Sequence, residues 1–182
     1  MGMSNTSSQY GSLAKALHWL VAIGIFWLIY LGLTQAGMER GPEKTALRMT
    51  HASWALLVLT LMTIRIVWRF MNETPAHPLG MPAWQRISAT ITHWAIYIAV
   101  FTQLSAGAMT VATNGNGLPF FGMTIPVPIA ENHDAHEFWE GIHEFVWKPL
   151  AALLVLHVLA SLYNHFIAKN DVLRRMTVGT GS

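Results

Sequence analysis

Four stretches of this sequence, 13–34, 51–71, 87–112 and 143–168, are apolar on nearly every side of a helix. A hydrocarbon core about 30 Å thick takes about 20 helical residues to cross, and each stretch is that long. A soluble bundle would carry polar stripes at helical period, which these lack. Of the 182 residues only 11% are charged, against about 25% in an ordinary soluble domain. The sequence predicts an all-α fold, an integral membrane four-helix bundle that forms a single domain over residues 1–182.

Lysines and arginines orient it. Lys15, Arg69, Arg86, Lys169, Arg174 and Arg175, with Arg65 close by, fall on one side, while Arg40, Lys44, Arg48 and Lys148 fall on the other. The excess predicts both termini in the cytoplasm, N-in and C-in. The third loop, 113–141, has no lysine or arginine, which agrees with an outside position. Its segment 114–128 is rich in glycine and proline and reads as irregular loop. Residues 130–141 alternate acids with aromatic and histidine side chains and read as a short surface helix. Residues 1–12 lack the positive cluster of a leader. Cleavage near 34–37 would discard His18, so the first stretch reads as retained.

The absence of cysteine excludes thiolate ligation, iron–sulfur clusters and covalent haem attachment through cysteine. A net charge of +2 without a basic run makes no case for nucleic acid. Histidine is the residue type left to carry chemistry. His143 and His157 lie fourteen residues apart on the fourth stretch. That offset is about 21 Å along a helix and returns to within about 40° of the same face. With the N-terminus inside, His18 and His157 fall at the inner level, and His51 and His143 at the outer level. Two neutral imidazoles on opposite faces of an iron porphyrin make a six-coordinate b-type haem suited to electron transfer. The competing reading is four core histidines bonded to nearby backbone, but ionisable residues inside membranes are rare and need partners.

The same offset reaches further residues. Fourteen residues after His18 is Gly32, and fourteen after His93 is Gly107. Glycine there admits a porphyrin edge or, alternatively, a plain helix–helix contact. Fourteen after His51 is Arg65, which either pairs with a haem propionate or snorkels to the inner surface beside Arg69. His93 lies at nearly the depth of His18 and by depth alone could replace His18 or His157. Otherwise it is a propionate contact, a proton donor to a quinone, or a structural hydrogen-bonding residue. His133 and His136 could offer zinc or copper a site, or simply be solvated. The eight tryptophans mostly mark helix ends, as in an aromatic belt.

The His18-Trp19 start, His51, the His143/His157 pair and the closing Asn164-His165-Phe166, Lys169, Asp171 and Leu173-Arg174-Arg175-Met176 together resemble the prokaryotic cytochrome b561 family. The likeness runs from about Tyr10 to Met176. It implies four helices in a bacterial inner membrane, two haem b groups, and His18, His51, His143 and His157 as axial ligands. It also implies ubiquinone as an electron partner. In some members superoxide, or another periplasmic donor, supplies electrons from outside. For such a donor Arg40, Lys44, Arg48 and Lys148 would supply attraction that the acidic third loop opposes. The expected function is one-electron transfer across the bilayer between a donor and the quinone pool. The alternatives are a haem-bearing anchor subunit of a larger dehydrogenase or hydrogenase, and a metal or solute transporter.

Overall fold

Each apolar stretch forms one helix, and polar residues extend three of these helices well beyond it. The computed structural model describes residues 2–78 and 80–177. Its long helices are α1 (Ser12–Ala36), α2 (Pro42–Met71), α3 (Ala83–Ala112) and α4 (His133–Phe166). All four are long and apolar enough to cross a membrane. A short α5 (Val172–Met176) follows. Large apolar side chains stay exposed along α1 and α4, among them Ile23, Phe26, Leu159 and Phe166. Lipid rather than water is the solvent such a surface suits.

Helix α2 starts nine residues before His51 because Pro42 suits a first helical position and Glu43 favours a helix N-terminus. The surface helix expected over 130–141 is instead the opening of α4. Asn132 Oδ1 accepts the Ala135 N–H at 2.9 Å, capping the helix ten residues before the apolar stretch begins. Gly141 weakens that helix without breaking it. Pro149 lies inside α4, where it removes the rung to the Phe145 carbonyl and favours a bend.

The loop expected over 114–128 contains a hairpin, which corrects the sequence reading. Strand β1 (Leu118–Phe120) pairs antiparallel with β2 (Met123–Ile125), Phe120 opposite Met123. The two turn residues have positive φ, 46° at Phe121 and 85° at Gly122. A two-residue hairpin of type I′ needs positive φ at both centres. Glycine adopts it freely, whereas phenylalanine costs of order 1–3 kcal/mol. Ser53 on α2 holds the strained turn: its Oγ accepts the Phe121 N–H at 3.0 Å and lies 3.3 Å from the Pro119 carbonyl. Trp54 packs edge-on against Phe121, ring centres 5.4 Å apart. Ser53→Ala should leave the Phe121 amide unpaired, at about 1–3 kcal/mol. Amide exchange in the hairpin should quicken accordingly, and unchanged exchange would refute the tether.

The chain divides into two compact units. The first takes the N-terminal segment to residue 19, residues 64–100, and the chain from 148 on. There the N-terminal segment joins the α2–α3 connection, through Asn5 Nδ2 to the Glu73 carbonyl at 2.7 Å and Ala76 N–H to the Ser7 carbonyl at 2.9 Å. Trp19 Nε1 donates to the Met176 carbonyl at 2.9 Å, tying α1 to α5. The second unit comprises residues 20–63 and 101–147. In it α1 meets α2 so closely that a Cβ on Gly24 would stand 2.5 Å from Val58 Cγ2. Val58 is among the most buried side chains.

Candidate functional site

The first unit gathers three histidines. His18 on α1 and His157 on α4 have ring centres 6.2 Å apart, with planes inclined at 58°. His93 on α3 packs edge-on against His157 at 5.2 Å. Arg65 on α2 turns inward to this cluster. Its Nη2 donates to His18 Nδ1 at 3.0 Å and its Nη1 to the Ala14 carbonyl at 3.2 Å. The guanidinium also lies over the Tyr97 ring, 5.9 Å from its centre. One turn on, Arg69 covers Trp94 and Tyr97 at 5.4 and 5.5 Å.

The second unit holds the other pair. His51 on α2 and His143 on α4 have ring centres 6.3 Å apart and nearly perpendicular planes. His143 Nδ1 lies 3.0 Å from the Gln103 carbonyl, which can only accept, so that nitrogen carries the hydrogen. His51 Nδ1 is buried without a hydrogen-bond partner. Both glycines of the fourteen-residue offset abut these rings. A Cβ on Gly107 would stand 2.9 Å from His143 Cε1, and one on Gly32 would stand 3.6 Å from His51 Cε1.

These separations have a chemical meaning. A metal–nitrogen bond of about 2 Å on each side, with roughly 1.1 Å from each nitrogen to its ring centre, spans about 6.2 Å. Both the His18/His157 and His51/His143 pairs match that span, whereas His93 and His157 are too close together for it. Among the described residues no group of three or more His, Cys, Asp or Glu side chains converges on a metal position. Two imidazoles alone make a poor cage for a bare ion. They suit an iron that brings four equatorial nitrogens of its own, so the residues fit a haem at each pair. The orphaned His51 Nδ1 is a further polar atom that a bound group could satisfy.

His133 and His136 do not converge. His133 Nε2 is 3.2 Å from Glu137 on the surface, while His136 Nδ1 donates to the Thr110 carbonyl at 2.8 Å. Sequence reasoning missed Gln103, Ala14 and Tyr97. The first two act through backbone carbonyls, which no residue type announces. Tyr97 had a signal in its spacing, four residues after His93 and three after Trp94.

The chain is similar over most of its length to known proteins. The profile of the family described as prokaryotic cytochrome b561 matches residues 9–179. Cytochrome b561 homolog 2 of Escherichia coli K12 is 28% identical over 97% of this chain and 95% of its own length. Cytochrome b561 homolog 1 of the same organism is 28% identical over 88% and 92%. The probable superoxide oxidase CybB of Yersinia pestis is 25% identical over 92% and 95%.

Proposed function

Because the chain belongs to the prokaryotic cytochrome b561 family, whose work is membrane electron transfer, we propose that it carries single electrons across a bacterial inner membrane through two b-type haems, exchanging them with ubiquinone. The observation that carries this reading is the pair of histidine separations, 6.2 and 6.3 Å. A haem held at either pair would supply a one-electron iron couple. His18 and His157 hold one, toward the cytoplasm by the charge asymmetry of the loops. His51 and His143 hold the other, toward the outside. His143 keeps its tautomer through the Gln103 carbonyl, leaving Nε2 free to ligate. Gly107 and Gly32 leave room for the rings and the macrocycle beside them. His93 supports His157 from the side and is the group best positioned to pass a proton to a quinone near the inner pair.

A superoxide donor is the second reading, favoured by the relative named a probable superoxide oxidase. Arg40, Lys44, Arg48 and Lys148 would draw an anion toward the His51/His143 side. The test uses full-length protein expressed with ample haem and reconstituted in liposomes. It should carry two haems per chain, and after anaerobic reduction it should be reoxidised by a soluble ubiquinone analogue. A colourless protein would end the haem assignment, and a reduced protein inert to the quinone would end the quinone assignment. Reduction by a superoxide pulse, abolished by superoxide dismutase, would establish the second reading.

A further inference from the structure

We propose that Arg65 makes the His18/His157 end the electron-accepting end, by holding the haem there at a higher reduction potential than the haem between His51 and His143. This rests on the two-haem assignment above and adds a direction to it. The two ends differ in what faces the Nδ1 of a ligand: a backbone carbonyl at His143 and a guanidinium at His18. His143 donates its Nδ1 hydrogen to the Gln103 carbonyl at 3.0 Å. A donor bond of that kind pushes electron density into the ring, strengthens it as a ligand and favours the ferric state. His18 faces a guanidinium nitrogen at 3.0 Å instead. Arginine has five N–H donors and no acceptor, so a His18 ring that ligates through Nε2 and carries its hydrogen on Nδ1 cannot accept from it, and Arg65 acts there as a full positive charge beside the ring.

No acidic side chain among the described residues pairs with that charge. Arg65 is half-buried, tethered to the Ala14 carbonyl and laid over Tyr97. Among the described residues the ion pairs are His133 with Glu137, His136 with Glu140 and Arg175 with Asp171, and none involves Arg65. Reducing a ferric iron adds one negative charge, and a nearby cation in a medium of low dielectric stabilises the product. Around the other pair both signs occur near solvent: Glu144, Arg48 and Lys148 are exposed, where solvent screens them, and Glu140 lies 3.9 Å from His136. One electron is therefore more stable at the His18/His157 end, and its transfer there makes and breaks no bond.

The experiment is a potentiometric titration of purified, haem-loaded full-length protein, followed at the visible bands. His51→Ala serves as the background that retains only the His18/His157 haem, and His18→Ala as the reverse. In the first background Arg65→Gln should lower the midpoint by at least a tenfold change in the reduction equilibrium, about 59 mV for one electron. In the second it should leave the midpoint unchanged. Arg65→Lys keeps the cation and should hold the midpoint near that of the parent. Three results would each overturn the inference: an unchanged midpoint in Arg65→Gln, an equal fall in Arg65→Lys, or loss of haem from both variants, which would make Arg65 a structural prop. A wild-type midpoint at the His51/His143 end higher than at the other would do the same. Fewer than two haems in the wild type removes the two-haem assignment together with this inference. Two haems with an unresponsive Arg65→Gln removes this inference alone.

Discussion

His51→Ala should purify with one haem per chain instead of two. Iron at that position depends on two axial nitrogens 6.3 Å apart between ring centres, and the variant deletes one. Among the described residues no other histidine has a ring contact with His143, so none of them stands ready to replace it. The haem that remains should be low-spin, because His18 and His157 lie in the other unit and keep their separation. Stoichiometry by pyridine haemochrome assay, with an electron paramagnetic resonance spectrum of the oxidised protein, reads both points. Two low-spin haems in the variant would remove His51 from the ligand set. His18→Ala is the instructive counterpart, since His93 already touches His157 at 5.2 Å. That separation is about 1 Å short of what two imidazoles across one iron require. His18→Ala should therefore lose a haem too, and retention of two low-spin haems would mean that His93 had taken over the position.

The residues that were legible in the sequence are those whose signal is periodic. The spanning helices follow from apolarity sustained over about 20 residues, and the pairing of His143 and His157 with different partners follows from helical rise. Depth brought Arg65 to the level of His18 but left two destinations open. In the structure its guanidinium reaches the His18 ring, a contact that depends on the side of α2 that α1 covers. His93 shows the same limit. Depth left it interchangeable with His18 or His157, and only the ring separations distinguish the three. The hairpin was hidden because its turn is Phe121-Gly122, not one of the Asn-Gly or Asp-Gly pairs that announce type I′ turns. Pro119, within β1, and Pro126, just after β2, also argued against strands. What selects it is Ser53, whose hydroxyl lies 68 residues away in sequence from the amide it accepts.

Gly107→Ala should loosen haem at the His51/His143 position where Gly32→Ala should not. The two glycines have the same kind of neighbour, an imidazole carbon, but at different range. At Gly107 the added Cβ would stand 2.9 Å from His143 Cε1 and 3.0 Å from Nδ1. The ring must then rotate or slide, and its hydrogen bond to the Gln103 carbonyl, already 3.0 Å long, is the contact it gives up. Losing that bond costs about 0.5–1.5 kcal/mol directly. Loss of the outer partner that orients a metal-ligating histidine typically weakens metal binding by about 10–100-fold. At Gly32 the added Cβ would meet His51 Cε1 at 3.6 Å, an ordinary van der Waals contact, and His51 has no hydrogen bond at Nδ1 to lose. Transfer of haem to excess apomyoglobin measures the difference. Gly107→Ala should release one haem per chain about 10–100-fold more readily than the wild type, and Gly32→Ala should track the wild type. Equal release from the two variants would show that the approach of the helix backbone to His143 has no part in holding the ring. The orientation of that histidine would then have to come from the bound group itself.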